Sequence, residues 1–183
     1  AAKRAERAGF QGAELHGAHG YLICSFLSPE LNRRDDAYGG DPERRARFLF
    51  ELVDGIRAAT KPGFSLGVRL SPERWGIQTL EVRDVAQRLM AEAKTDYIDM
   101  SLWDVRKEPN DEALKGRTLG SYFTELKRNG TLLGASLPAR LFRENRDYYW
   151  RFDDQRGWHS GFTETDELVA TASVAVPAGG RGT

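Results

Sequence analysis

Between Ala13 and Trp103 the chain switches repeatedly between two hydrophobic rhythms, and that alternation limits the fold more than any other feature. Ala13–His16, Phe64–Leu70 and Tyr97–Trp103 are short apolar runs of strand length. Between them, Phe48, Leu49, Leu52, Val53 and Ile56 recur at helical spacing, as do Val82, Val85, Ala86, Leu89 and Met90 within Leu80–Ala93. Spacing of three and four places each set on one face of a helix. Strands joined by such helices are parallel neighbours, because parallel pairing needs a crossover of about a dozen residues or more. The expected class is α/β with a parallel sheet.

Local signals mark the ends. Ala1–Ala8 consists of strong helix formers, and Gly9 is a natural stop. Asp41-Pro42 places a capping carboxylate before a proline at the first helical position. Gly120–Arg128 reads as a further helix and Thr131–Ala135 as a fourth short strand. Gly20–Gly40 is a loop of about twenty residues, a length usually functional or disordered in compact domains. Its apolar Tyr21, Leu22, Ile23, Phe26 and Leu27 predict an ordered one. After Ser136 both rhythms fade: arginines mix with Tyr148, Tyr149 and Trp150, and Pro177–Thr183 is rich in Pro, Gly and Arg. The boundary expected there separates residues 1–136 from 137–183, an irregular, divergent or frame-changed tail that should pack poorly.

Composition excludes several functions. Lys+Arg and Asp+Glu are both 27, so no field of one sign favours nucleic acid or an anionic membrane. No apolar run approaches the roughly 18–20 residues of a membrane helix. The single Cys24 excludes an internal disulfide framework and fits a reducing, cytoplasmic compartment. Ala1–Phe10 is charged and helical in pattern, unlike a signal peptide, and no methionine opens the chain, which is expected to start partway through a longer one.

Functional groups in parallel α/β folds collect at the C-terminal ends of the strands. Three such ends carry them here: His16 with His19 and Tyr21, then Arg69, then Asp99 with Ser101 and Trp103. A guanidinium in an apolar strand needs an acceptor, either a carboxylate or a ligand. His16 and His19 could be two satisfied histidines at a strand edge or ligand donors. As a metal site the pair lacks a third ligand nearby, so no metal is assigned. Tyr21 alone is as readily packing as catalysis.

Together these residues form a recognisable series. His16-Gly-Ala-His-Gly-Tyr-Leu is followed by Phe26-Leu-Ser-Pro, Asn32-Arg-Arg-x-Asp, Tyr38-Gly-Gly and Glu43-Arg-Arg-Ala-Arg-Phe, then by Gly67-Val-Arg-Leu-Ser and Tyr97-Ile-Asp-Met-Ser. The series resembles the old yellow enzyme family of flavin-dependent ene-reductases, from Ala1 to about Ser136. The resemblance implies a partial (β/α)8 TIM barrel, with Ala13–His16, Ser65–Leu70, Tyr97–Leu102 and Thr131–Ala135 as strands four to seven. It implies FMN as cofactor, NADH or NADPH as reductant, and a small enone-type substrate whose β-carbon receives hydride. His16 and His19 match the pair that grips the substrate carbonyl oxygen, His19 standing where some relatives carry asparagine. Tyr21 matches the residue that protonates the α-carbon, and Arg69 the arginine at the N1 and O2 edge of the flavin. A whole barrel takes about 250 residues, and neither the first three strands nor a phosphate-binding loop is recognisable here. The competing reading is a non-catalytic α/β module without bound flavin. Neither reading fixes an oligomeric state.

Overall fold

Two faces of one sheet divide the labour in this protein. The computed structural model describes residues 1–102, 104 and 107–136, together with the backbone of 147–153 and 157–163. A first helix, α1 (Ala2–Arg7), leads to strand β1 (Gly12–Gly17). A short helix α2 (Leu22–Leu27) and a long one, α3 (Pro42–Ala59), separate it from β2 (Ser65–Leu70). Helix α4 (Thr79–Glu92), strand β3 (Tyr97–Ser101), the short helix α5 (Ser121–Thr124) and strand β4 (Leu132–Ser136) follow. The four strands are parallel and lie side by side in chain order. A doubly wound sheet reverses its order at a switch point. An unreversed order is the repeat of a β/α barrel, so the expected α/β class and partial-barrel form are observed.

Side chains alternate across a strand, so each strand serves both faces. One face supplies Leu66, Val68 and Leu70, Ile98, Met100 and Leu102, Leu133 and Ala135 to a single core. Leu49, Phe50 and Val53 of α3 and Val82, Val85, Ala86, Leu89 and Met90 of α4 close over it. Each large side chain buried there contributes about 1.5–3 kcal/mol. The opposite face carries Glu14 and His16, Arg69, then Tyr97, Asp99 and Ser101. The helices leave that face open.

Helix α3 starts where the sequence predicts, with the Asp41 carboxylate accepting from the Arg44 N–H at 2.9 Å. Its far end is tied to the N-terminal ends of the strands. Arg57 donates to the Phe64 carbonyl at 2.7 Å and to Asp96 at 2.6 Å, and Asp96 also accepts from the Leu66 N–H at 2.7 Å. The long loop after β1 is ordered, as expected, but it contains α2, whose Ile23, Cys24 and Leu27 are buried. Asn32 Nδ2 donates to the carbonyls of Phe26 and Tyr38, both at 2.7 Å. Buried Arg45 donates to those of Leu27 and Gly40 and pairs with Glu81 at 2.6 Å. A buried guanidinium needs all of these partners.

Two expectations change. The helix expected over Gly120–Arg128 shortens to one turn, Ser121–Thr124, and the chain enters β4 through a later turn in which Asn129 and Gly130 both take positive φ. The tail is not irregular throughout: β5 (Asp147–Asp153) pairs antiparallel with β6 (Gly157–Thr163). Tyr148, Trp150 and Phe152 alternate in sequence, and aromatic residues favour strands. The intervening Tyr149 hides that period. Residues 137–146, 154–156 and 164–183 lie outside the described residues, and with them the expected character of Pro177–Thr183.

One close approach on the open face is testable. Glu14, Gly67 and Tyr97 are paired across β1, β2 and β3, and the Tyr97 ring lies over Gly67. A Cβ at Gly67 would lie 2.0 Å from Tyr97 Cζ. Gly67→Ala should therefore cost about 1–3 kcal/mol, the usual range for overpacking. In a Tyr97→Ala background the same methyl should cost almost nothing. Urea unfolding of the four variants checks this, and equal midpoints for wild type and Gly67→Ala would contradict it.

Candidate active site

His16, the next residue on the open face after Glu14, pairs across β1 and β2 with Arg69, which pairs in turn with Asp99 of β3. Three polar side chains thus form a row near the C-terminal ends of three strands. Arg69 Nε lies 3.3 Å from Asp99 Oδ2, so the carboxylate acceptor is present. The guanidinium is only partly satisfied, however. Nε is buried and makes no hydrogen bond, and Nη2 reaches Ser101 Oγ at a long 3.4 Å.

Beyond β1 the chain turns sharply. His19 has φ 60 and Gly20 φ 74. Positive φ is uncommon outside glycine, although histidine tolerates it better than most. Glycine at 20 is required twice over, since a Cβ there would sit 2.8 Å from Trp75 Cδ1. The turn brings His19 and Tyr21 back against His16, with ring centroids 5.1 Å apart in both pairs. Two serines hold His19: its backbone N–H donates to Ser71 Oγ at 3.0 Å, and its ring Nε2 meets Ser101 Oγ at 2.6 Å. Trp75 packs on the ring at 5.5 Å between centroids. The loops after β2 and β3 are locked together by buried Glu73, which pairs with Lys107 and accepts from the Asn110 N–H at 2.8 Å.

Burial depresses the pKa of both histidines, and the nearby Arg69 charge depresses it further. Asp99 opposes the shift at His16, while His16 adds to it at His19. Both rings are therefore neutral at pH 7, and each has one N–H to offer. Glu14 moves the other way: burial and Asp99 hold its carboxyl above the usual range. Burial, then the Glu14 charge, push the Tyr97 phenol up.

The structure brings together His16, His19, Tyr21 and Arg69, with Asp99 and Ser101 beside them. Trp103, the remaining candidate, lies outside the described residues. Trp75 escapes the sequence pattern because it sits in a Pro- and Gly-containing loop, and Ser71 closes the Gly67-Val-Arg-Leu-Ser series without being singled out. Their place just past β2 is the available signal. Among the described residues no group of three or more His, Cys, Asp and Glu could hold a metal ion, and no helix is long and apolar enough to cross a membrane. Two neutral imidazoles, a phenol and a guanidinium on one open face can bind an oxygen that gains negative charge and deliver a proton near it.

Residues 1–118 match the model of the NADH:flavin oxidoreductase / NADH oxidase family, and the chain belongs to that family. FMN and a nicotinamide reductant are thus its family's cofactors. Over 102 residues it is 47% identical to an NADPH dehydrogenase of Geobacillus sp. (strain WCH70), a match covering 55% of this chain and 29% of that protein. Over 103 residues it is 40% identical to the NADH-dependent flavin oxidoreductase iccE of Talaromyces variabilis, covering 55% of this chain and 25% of that one. The chain thus spans about a quarter of the length of these curated relatives. Among solved structures it is similar to a 2-naphthoyl-CoA reductase in complex with 2-naphthoyl-CoA. That likeness has a TM-score of 0.58 and 26% identity, over 72% of this chain and 21% of the other. Residues 105–183 also match the model of bacterial macroglobulin domain 6.

The electrostatics yield a direct check. In an NMR pH titration, His16 and His19 should both titrate below the ordinary histidine value of about 6.5. Arg69→Gln should raise both midpoints, because it removes a cation that opposes protonation. Because the folded values are depressed, the stability held by the neutral rings is lost as pH falls below the ordinary histidine value. A midpoint above that value for either residue would contradict the arrangement.

Proposed function

We propose that residues 1–136 form the substrate-facing part of an FMN-dependent NAD(P)H oxidoreductase acting on the alkene of an α,β-unsaturated carbonyl compound. The observation that carries this reading is the grouping of His16, His19 and Tyr21 over the Arg69 row. The lone, buried Cys24 supports a reducing, cytoplasmic setting. By the same reading β1 to β4 are barrel strands four to seven. The second family match supports treating the tail as a separate unit, and we place the division at Ser136, where the parallel sheet ends.

The residues present fit a flavin. Arg69 Nε is a buried donor without a hydrogen bond, and Arg69 would hold the electron-rich edge of the ring, stabilising negative charge there. Bound FMN would supply the hydride, taken from NADH or NADPH and passed to the substrate β-carbon. As that carbon gains hydride, charge develops on the carbonyl oxygen. His16 and His19 each direct a neutral N–H at that oxygen, and such a donor is worth roughly 3 kcal/mol. The Tyr21 phenol then gives its proton to the α-carbon. Tyr21 is 63% exposed, so solvent can reprotonate it.

Stopped-flow kinetics on a full-length protein carrying residues 1–136 separates the roles. Tyr21→Phe should leave flavin reduction by the nicotinamide nearly unchanged and slow alkene reduction by about 10²–10⁴-fold. Equal slowing of both half-reactions would make Tyr21 structural and overturn its assignment.

A further inference from the structure

We infer that Ser101 is a positioning residue that fixes the proton of His19 on Nδ1, so that Nδ1–H is the donor His19 has to offer. The inference deepens the proposed function, since it says which nitrogen of the pair meets the substrate oxygen.

Hydrogen-bond direction follows from which groups can only donate. Arg69 has no acceptor, so at the Arg69–Ser101 contact the serine oxygen accepts. That leaves the serine hydroxyl proton for a second partner. Among the described residues His19 Nε2 is the one acceptor in reach, at 2.6 Å. The Arg69 charge also polarises the hydroxyl and strengthens it as a donor. Nε2 is then the lone-pair nitrogen and the ring proton sits on Nδ1, which makes no hydrogen bond among the described residues.

The rest of the turn holds the ring for this contact. The His19 backbone is pinned through Ser71 at 3.0 Å, and Trp75 packs on the ring at 5.5 Å between centroids. The sequence Arg69 to Ser101 to His19 runs across β2, β3 and the turn after β1, so a cation on one strand sets the tautomer in the turn that follows another. Depression of the His19 pKa by burial and by Arg69 keeps the ring neutral, the state in which a tautomer is defined.

Nitrogen-15 NMR of the side chains in the 183-residue chain, without flavin or substrate, reads the tautomer directly. The chain has three histidines, so each can be assigned. In wild type at a pH where the ring is neutral, the His19 Nδ1 signal should be of the protonated type and Nε2 of the bare type. Ser101→Thr, which keeps the hydroxyl, should preserve the pattern. Ser101→Ala should shift His19 toward the Nε2–H form that imidazole favours in water, while His16 keeps its wild-type pattern. Wild-type His19 protonated on Nε2, or an unchanged Nδ1–H pattern in Ser101→Ala, would overturn the inference. The wild-type spectrum alone suffices if Ser101→Ala fails to fold. Because no flavin chemistry is measured, this test can fail while the Tyr21 half-reaction result stands, and the reverse.

Discussion

The apolar contact between one face of the parallel sheet and helices α3 and α4 carries everything else. Leu66, Val68, Leu70, Ile98 and Met100 are all nearly or fully buried against those helices. That burial fixes strand register, since slipping one residue would turn the apolar set outward. Register in turn sets His16 beside Arg69 and Arg69 beside Asp99. The same alternation frees the opposite face for polar groups that a closed core would not tolerate. The geometry of the candidate site is thus a consequence of packing on the other side of the sheet.

The two ends of the strands are treated differently. At the N-terminal ends Arg57 and Asp96 satisfy one another and the neighbouring backbone. At the C-terminal ends Arg69 keeps an unbonded buried nitrogen, and His19 sits at positive φ. Incomplete satisfaction and backbone strain cluster at functional sites, where a ligand or reaction uses them. The chain spans about a quarter of the curated relatives it matches. Four parallel strands form one wall of a barrel, and the open polar face is the side such a barrel closes around.

Much of this is legible in the sequence because the signals are local. The apolar periods of α3 and α4 and the Asp41-Pro42 cap need no tertiary information. The parallel strands follow from helix length alone, and the position of Arg69 in an apolar strand announces a needed acceptor. What escapes is what depends on contacts between distant segments. Trp75 reaches Gly20 across 55 positions, and no local pattern marks it. The link from Ser101 to His19 spans 82 positions. The one-turn length of α5 escapes too, since Gly120–Arg128 reads as helix throughout and the chain leaves it after Thr124. The β5–β6 hairpin is hidden because Tyr149 breaks the apolar–polar alternation of Tyr148, Trp150 and Phe152.

We propose that this chain carries the substrate-facing wall and the Arg69 edge contact, and that the phosphate contacts of the flavin are made by other parts of a barrel. Donors directed at a phosphate supply much of the affinity for a nucleotide. Titration of the 183-residue chain with FMN, followed by flavin fluorescence, tests the claim most directly. The expected result is no saturation in the micromolar range. Micromolar or tighter binding would contradict it and locate a complete flavin site within these residues.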